Sequence, residues 1–268
     1  MRWLGNYLLE VSRGPWPRIY FIRHAHGFHQ IGYEMVERGL AKSAREGLGV
    51  DIPNHLIPLS PFGRFQAEET RKRIGIEPDC IYASQLLRAM QTAQIIFPGR
   101  KIRVDPRLNE KDFGAAHLRS REELKELFPE QMERYIHDGK YFSSKAPGGQ
   151  NYVDLYVQRH SIVDTYRRDW AGKTIVVVEH SAGMMTDRQL FEHHPHDKLM
   201  ELAKSESIPN CGILAYNWPN VLWGWQRGKF RLKLARPPYK LWLADIEQVF
   251  AFWEQAMVEL KKLRRKFA

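Results

Sequence analysis

Two kinds of hydrophobic pattern alternate along this chain: short continuous apolar runs, and longer segments with apolar residues at helical spacing. Short apolar runs bounded by proline, glycine or charged residues predict strands. These runs are Ile19–Ile22, Asp79–Ala83, Lys101–Val104 and Thr174–Val178. Between and after them, apolar residues at helical spacing predict helices over about 61–74, 84–97, 119–137 and 149–171. Alternating strands and helices are typical of the α/β class, so we predict a three-layer α/β/α fold around a mainly parallel sheet.

Three stretches qualify this prediction. No strand separates residues 119–137 from residues 149–171, which predicts a helical cover insertion over the sheet. Ser84 follows the second predicted strand and is expected to cap the helix after it. The segment from Gly27 to Pro61 lacks such a signal, and we predict a long loop there.

The C-terminal part of the chain predicts a β-hairpin followed by a helix. Phe230, Leu232 and Leu234 alternate with more polar neighbours, as expected for a half-buried strand. Basic and aromatic residues interleave through the same region, a pattern also found in proteins that bind single-stranded nucleic acid. We favour the hairpin, and nucleic-acid binding is the less favoured alternative.

The predicted last helix carries one apolar seam. Its members are Ile246, Val249, Trp253, Ala256, Leu260, Leu263 and Phe267. We expect the seam to dock on its own domain. The alternatives are a homodimer contact and a contact of the basic helix end with an anionic surface. The chain is thus predicted to be a single domain over 1–268, with a cover at about 115–172 and the hairpin and helix at about 212–268.

Composition changes this picture little. The chain has 268 residues, of which 43% are hydrophobic and 27% charged, as is ordinary for a globular protein. The net charge is +10, and several basic residues crowd the C-terminal end. No apolar run is long enough to cross a bilayer, and the N-terminal residues lack the apolar core of a signal peptide. Cys80 and Cys211 give no disulfide framework, so we expect a cytoplasmic location.

Candidate chemistry begins after the first predicted strand, where Arg23 and His24 emerge together. Open α/β sheets bind their ligands at the carboxyl ends of the strands. Imidazole is a nucleophile near neutral pH, and a guanidinium matches the geometry of a phosphate group. The pair suggests phosphoryl transfer through a phosphohistidine, and its plain alternative is a solvated loop.

Three further segments place suitable side chains at the same edge of the sheet. Arg88 lies in the opening turns of a helix, and helical side chains lean toward the helix N-terminus and so toward that edge. Glu110 lies in the loop after the third strand and could act as a general acid and base. His180 follows the fourth strand and precedes a helix, whose free N–H groups favour an oxyanion. The plain alternatives are surface charges and an ordinary strand-end histidine.

The order of these motifs resembles the histidine phosphatase superfamily, also called phosphoglycerate mutase-like. Arg23-His24-Ala25 matches its opening Arg-His-Gly motif. The segment from Ser84 to Ala93 matches its Ser-x-Leu-x-Arg-Ala-x-Gln-Thr-Ala helix nearly residue for residue. Further matches are its Leu-x-Glu-x-x-x-Gly loop at Leu108, Glu110 and Gly114, its strand-end histidine at His180, its Gly-Gly-Glu-Ser segment at Pro147 to Asp154, and a pre-strand pair at Asn210-Cys211. The resemblance runs from residue 19 to about residue 217.

The resemblance implies a role for each residue. His24 would be the nucleophile that becomes phosphorylated, and Glu110 would protonate the leaving oxygen and then activate water. Arg23, Arg88 and His180 would hold the phosphoryl oxygens, so neither a metal nor another cofactor is expected. Gln30 stands where many members have another phosphate ligand, and Ser181 would offer its backbone N–H. Ala25 and Ala182 depart from the residues usual in the family and leave substrate details open.

The activity implied is that of a metal-independent phosphomonoester hydrolase acting on a small phosphorylated substrate. One alternative is a phosphoglycerate mutase-type phosphotransferase, because Arg119, Arg121 and Lys125 in the cover could bind a second anion. Another is a catalytically weak phosphatase-like module that binds nucleic acid or acidic surfaces. Two histidine clusters lack the cysteine or carboxylate spacing of a metal site, so no metal is predicted. They are His24, His26 and His29, and His193, His194 and His196.

Overall fold

The computed structural model describes residues 16–217, 231–235 and 246–267, and its strands form one mixed sheet. The strands are β1 (Arg18–Arg23), β2 (Cys80–Ala83), β3 (Ile102–Val104), β4 (Thr174–Glu179), β5 (Ile213–Asn217) and β6 (Arg231–Ala235). Their order across the sheet is β3-β2-β4-β1-β5-β6. The pairs from β3 to β1 are parallel, whereas β5 and β6 are antiparallel to their neighbours. The predicted mainly parallel sheet is confirmed.

The helices lie between and beyond these strands. They are α1 (Phe28–Glu37), α2 (Ala44–Leu48), α3 (Pro61–Arg73), α4 (Leu87–Ile96), α5 (Arg121–Leu127), α6 (Pro129–Phe142), α7 (Tyr152–Asp169), α8 (Ser181–Glu192), α9 (His196–Ser205) and α10 (Ile246–Phe267). No helix among the described residues combines the length and the apolar character needed to span a membrane.

Helices cover both faces of the sheet because its central strands are apolar on both sides. Every residue of β4 is buried. Alternate residues of β1 point to opposite faces, so Phe21 packs with α7 and α8, while Ile22 packs with α3 and α4. This arrangement confirms the three-layer α/β/α fold.

The predicted helical cover divides into two parts. Helices α5 and α6 form a small cluster of their own around Leu124 and Met132, with Ala116 and Ala146. Helix α7 instead packs on the sheet, where Leu155, Ile162 and Tyr166 belong to the main core. Only the first part therefore packs as a cluster separate from the main core.

Two local predictions were wrong. The predicted long loop contains helices α1 and α2, because α1 starts with no Ser, Thr, Asp or Asn cap and uses Gly27 and the side chain of Gln30 instead. The Gln30 Oε1 atom accepts a hydrogen bond from the Gly27 N–H at 3.0 Å. Ser84 does not cap α4, which begins three residues later at Leu87. The Ser84 hydroxyl is used elsewhere, in the candidate site.

The C-terminal helix docks on its own domain, as its seam predicts. Ala256 and Leu260 are buried in a cluster that α10 shares with Phe28, Ile31 and Leu48. An Arg64–Glu259 ion pair and a hydrogen bond from Arg264 Nε to the Leu48 carbonyl, at 2.7 Å, fix the helix at its sides. β5 and β6 form the predicted antiparallel pair. Most of the basic and aromatic segment, at 218–230 and 236–245, lies outside the described residues.

Candidate active site

The candidate site lies at the carboxyl ends of the parallel strands β1, β4 and β2. β1 and β4 pair from Arg18 and Thr174 to Arg23 and Glu179, so both strands end at the same level of the sheet. His24 and His180 are the next residues on the two strands. Their imidazole rings come together with 4.9 Å between centroids. Sheet register therefore creates this pair of imidazoles from residues far apart in the sequence.

His24 is held as a neutral imidazole in one tautomer. Its Nδ1 atom lies 2.7 Å from the Ala25 carbonyl oxygen. A carbonyl can only accept, so Nδ1 carries the proton and Nε2 keeps the lone pair. Burial lowers the pKa of His24 well below its usual value, and the charges of Arg88 and Arg23 lower it further. An uncharged ring with a free Nε2 lone pair has the form that a nucleophile needs.

Ala25 fits where the family motif has glycine. Its φ angle is not positive, so the backbone does not require glycine. Its side chain is buried with Leu59 and Ala67, and its N–H donates to Thr92 Oγ1 at 3.0 Å. The methyl group is therefore part of the core on that side of the sheet and not an obstruction.

Two guanidiniums converge on His24. Arg88 is 2% exposed, and its Nη1 donates to the Asn54 carbonyl at 2.8 Å. Burial lowers the pKa of Arg88 to about 10, with Glu110 opposing and Arg23 reinforcing that shift. Arg23 donates to the Ile208 carbonyl. The charge of Arg23 acts on Arg88 and the two cations repel each other. An anion bound between them would therefore be stabilised.

His180 occupies the helix-cap position predicted for an oxyanion site. It is the N-cap residue of α8, it is fully buried, and Ser181 is the first residue of that helix. Its Nε2 lies 2.8 Å from Ser84 Oγ, and Ser84 in turn donates to Asn109 Oδ1 at 2.9 Å. The His180 Nδ1 atom is buried without a hydrogen-bond partner in the described part of the chain. Burial, and then the charge of Arg88, lower the pKa of His180.

A buried arginine, Arg159, supports the loop that carries Glu110. Arg159 Nη2 donates to the carbonyls of Leu108 and Asn109, both at 3.2 Å. The same guanidinium pairs with Glu179, the residue before His180, at 2.7 Å. Glu110 itself accepts from the Lys111 N–H at 2.8 Å and lines a cavity of about 900 Å³. The structure thus brings Glu110 close enough to Arg88 for its carboxylate to raise the pKa of that guanidinium.

Gln30 lies in the first turn of α1 with most of its amide already bonded. Its Nε2 donates to Asn210 Oδ1 at 2.9 Å, and its Oε1 accepts from Asn210 Nδ2 at 3.1 Å. Asn210 Nδ2 also donates to the His24 carbonyl at 2.8 Å. Gln30 therefore supports the backbone at His24, and a direct contact with phosphate stays a prediction.

The sequence interpretation missed His29 as a member of this site. Its ring lies 5.7 Å from the ring of His24, and burial together with the charge of Arg88 lowers its pKa. Tyr33 follows one turn later, with 6.4 Å between the ring centroids of His29 and Tyr33. A histidine in the first turn of a helix could have indicated an anion site. The prediction of a loop over α1 concealed this indication.

The other histidines considered as metal ligands point elsewhere. His26 contacts Ser60 Oγ at 2.8 Å and Glu34 Oε1 at 3.0 Å, away from His24. His193 ends α8 and His196 begins α9. Among residues 16–217, 231–235 and 246–267, no three His, Cys, Asp or Glu side chains group as metal ligands would.

Comparison with known proteins shows the family of this chain. Residues 39–224 match the family model of the histidine phosphatase superfamily (branch 1), and the chain belongs to that superfamily. The match begins after Arg23 and His24, and the pairing of β1 with β4 joins those residues to the matched part. A search of curated protein sequences gave no significant match.

Several solved structures share the fold. The alpha-ribazole phosphatase from Shigella flexneri is 17% identical, with 82% of this chain and 96% of that chain covered and a TM-score of 0.63. The phosphoserine phosphatase from Entamoeba histolytica is 20% identical, with 81% and 96% covered and a TM-score of 0.60. A mycobacterial glucosyl-3-phosphoglycerate phosphatase is 18% identical, with 82% and 98% covered and a TM-score of 0.60. At these identities the likeness establishes the fold.

Proposed function

We propose that the protein is a metal-independent phosphomonoester hydrolase that forms a phosphohistidine on His24. The observation that carries the proposal is the convergence of Arg23, Arg88 and His180 on the buried His24, with Glu110 near Arg88. Two guanidiniums and a helix N-terminus supply positive charge around the position where phosphoryl oxygens would lie. Phosphoryl transfer needs positioning and charge stabilisation above all, and these groups provide both.

The first step transfers the phosphoryl group to the protein. The lone pair on His24 Nε2 attacks phosphorus, and the bond from phosphorus to the ester oxygen breaks. Glu110, in its protonated form, gives its proton to the departing oxygen, and a neutral alcohol leaves. Arg23 and Arg88 hold the equatorial oxygens throughout, with His180 and the N–H of Ser181 on the remaining side.

The second step returns the enzyme to its starting state. Glu110, now ionised, takes a proton from water while the water oxygen attacks the phosphorus. The bond between phosphorus and Nε2 breaks, His24 regains its lone pair, and inorganic phosphate leaves. Glu110 is then protonated again for the next turnover, so protons balance over the cycle.

The decisive experiment traps the intermediate. The protein is mixed with a labelled phosphomonoester and denatured in alkali, because a phosphorylated imidazole hydrolyses in acid. Label is expected on His24 in the parent protein and is expected to be absent from His24→Ala. In Glu110→Gln both the appearance of the label and its loss should be slowed. His160→Ala provides the matched control, because His160 is exposed on α7. A His24→Ala protein that turned over substrate as fast as the parent would exclude the mechanism.

A further inference from the structure

The cavity beside Glu110 is rich in side-chain amides. It measures about 900 Å³ and adjoins the proposed phosphate site through three of its lining residues. These are Glu110, Leu86 at the start of α4, and Asn54, whose carbonyl accepts the hydrogen bond from Arg88. A group attached to a phosphate held by Arg88 would therefore extend into this cavity.

Five primary amides face the cavity and have unused hydrogen-bonding capacity. They belong to Asn54, Gln85, Asn109, Gln150 and Gln158. The oxygens of Asn109 and Gln150 accept bonds from neighbouring groups. Within the part of the chain that the structure describes, however, none of the five NH₂ groups donates a hydrogen bond to the protein. Such walls favour a ligand whose groups both donate and accept, as hydroxyls do.

The charges around the cavity argue against a second acidic group on the ligand. The described lining residues include the carboxylates of Glu110 and Asp112 but no lysine or arginine. Lys111 is near in sequence, yet it is 6% exposed and its ammonium lies 5.4 Å from the ring centroid of Phe113, outside the lining. A second phosphate or a carboxylate would meet two negative charges with no cation to offset them.

The shape of the lining also argues against a flat aromatic ligand. No phenylalanine, tyrosine or tryptophan is among the described lining residues, so the imidazole of His55 is the single ring there on which a nucleobase could stack. The remaining walls come from Leu86, Pro106, Gly148 and His55.

Resting on the phosphatase activity proposed above, we infer that the substrates are phosphomonoesters of uncharged, hydroxyl-rich alcohols such as sugars and polyols. The amides bind the hydroxyls, and Glu110 and Asp112 disfavour substrates that carry a further acidic group. The same charges weigh against a mutase, since phosphoglycerate-type substrates are acidic at both ends.

The test compares substrates with and without a carboxylate at one carbon. The two pairs are glucose 6-phosphate with 6-phosphogluconate, and glycerol 3-phosphate with 3-phosphoglycerate. In each pair we expect kcat/KM to favour the neutral member by about tenfold or more. Equal or reversed preference overturns the inference, as does a preference for adenosine monophosphate or phosphoethanolamine over both neutral members. p-Nitrophenyl phosphate distinguishes a wrong substrate class from a wrong activity. If this substrate is not hydrolysed either, the proposed phosphatase function itself fails.

Variants at Gln158 sharpen the comparison. Gln158→Leu removes one amide and should raise KM for glucose 6-phosphate about three- to tenfold, with a smaller effect on kcat. Gln158→Arg adds a cation and should reduce the discrimination against 6-phosphogluconate. Gln255→Leu, at an exposed position of α10, is the matched control and should change neither quantity. Gln158 variants that behave like this control would overturn the assignment of the cavity.

Discussion

Arg159 and Glu179 form an ion pair at 2.7 Å in which neither side chain is exposed to solvent. Asp187 is buried beside the pair, and burial raises the pKa of both carboxyls. The same guanidinium donates to the carbonyls of Leu108 and Asn109, just before Glu110. One buried side chain on α7 thus supports the strand end that precedes His180 and the loop that carries Glu110.

Removing this guanidinium should therefore be costly. Arg159→Met leaves Glu179 buried without its cation, and we expect the free energy of unfolding to fall by about 3–5 kcal/mol. Urea unfolding followed by circular dichroism measures the change. Arg168→Met removes a solvent-exposed pair with Asp169 and should leave the free energy of unfolding nearly unchanged. Equal losses in the two variants would contradict the prediction.

The pH dependence of activity should reflect the depressed pKa of His24. Burial and the charges of Arg88 and Arg23 lower this pKa well below its usual value. The imidazole reacts in its neutral form, so protonation of His24 reduces activity only as pH falls through the lowered pKa. An ordinary histidine is half protonated at about pH 6.5 and would lose about half of its activity there. With p-nitrophenyl phosphate as substrate, we expect kcat/KM to show no such loss at that pH.

A variant that lacks one of the two guanidiniums provides the control for the pH profile of kcat/KM. Arg88→Gln removes a charge that depresses the pKa of His24, so any acid limb still measurable should move to higher pH. An unperturbed limb near about pH 6.5 in the parent protein would mean that the charges and the burial do not act on the nucleophile.

Lys111 should destabilise the fold at neutral pH. Its ammonium lies 5.4 Å and 5.5 Å from the ring centroids of Phe113 and Tyr152 and makes no ion pair among the described residues. Burial lowers the pKa of Lys111 from 10.5 to about 8, with Glu110 opposing the shift and Lys145 adding to it. Between these two values the unfolded chain binds more protons than the folded one, so stability rises with pH in that window.

Lys111→Met should consequently raise the free energy of unfolding at pH 7 by about 1–2 kcal/mol. The advantage over the parent should shrink as pH rises above about 8, because the parent loses its buried charge there. Urea unfolding at pH 7 and pH 9 measures both effects. Lys125→Met, at an exposed position of α5, should show neither, and a neutral or destabilised Lys111→Met would be evidence against the prediction.

Gly183 lies against the buried ion pair and leaves no room for a side chain. A Cβ atom there would lie 1.9 Å from Arg159 Nη2 and 2.5 Å from Glu179 Oε2. Both groups are confined, so we expect Gly183→Ala to lower the free energy of unfolding by at least about 2 kcal/mol. Gly75→Ala, where φ is +55° but nothing lies within 4 Å, should cost about 1 kcal/mol. Thermal unfolding ranks the two, and a milder effect at Gly183 would show that the ion pair can move aside.

The C-terminal helix should contribute to stability through its apolar seam. Leu260 is 1% exposed within the cluster that α10 shares with Phe28 and Leu48. Leu260→Ala should reduce the free energy of unfolding by about 2–4 kcal/mol. Val258→Ala, at a position 56% exposed, should have an effect within about 0.5 kcal/mol. Comparable small effects at both positions would mean that α10 is only loosely attached.

The sequence predicted well the features that depend on local pattern. Each of the four segments predicted as a strand is a strand. Three of them, β1, β2 and β4, were recognisable because they lie in the core and have continuous apolar segments. The same strands place Arg23, His24 and His180 at one edge by register alone. The predicted positions of Arg88 and Glu110 followed from the elements that carry them.

The features that were missed depend on partners far apart in the chain. Arg159 and Glu179 are single charges within a helix and a strand, and nothing in their sequence neighbourhood indicates that they meet. Ser84 was read as a helix cap, but His180 and Asn109 use its hydroxyl. His29 was hidden because Gly27 and Gln30 open α1 in place of the residues that usually signal a helix start.

The docked helix α10 has a consequence for the evolution of this fold. The match to the family model ends at residue 224, before α10, and this helix shields Phe28, Ile31 and Leu48 from water. A relative without such a helix would expose these positions, where large apolar side chains favour aggregation. Apolar residues at these sites and an added C-terminal helix should therefore be gained and lost together across the superfamily.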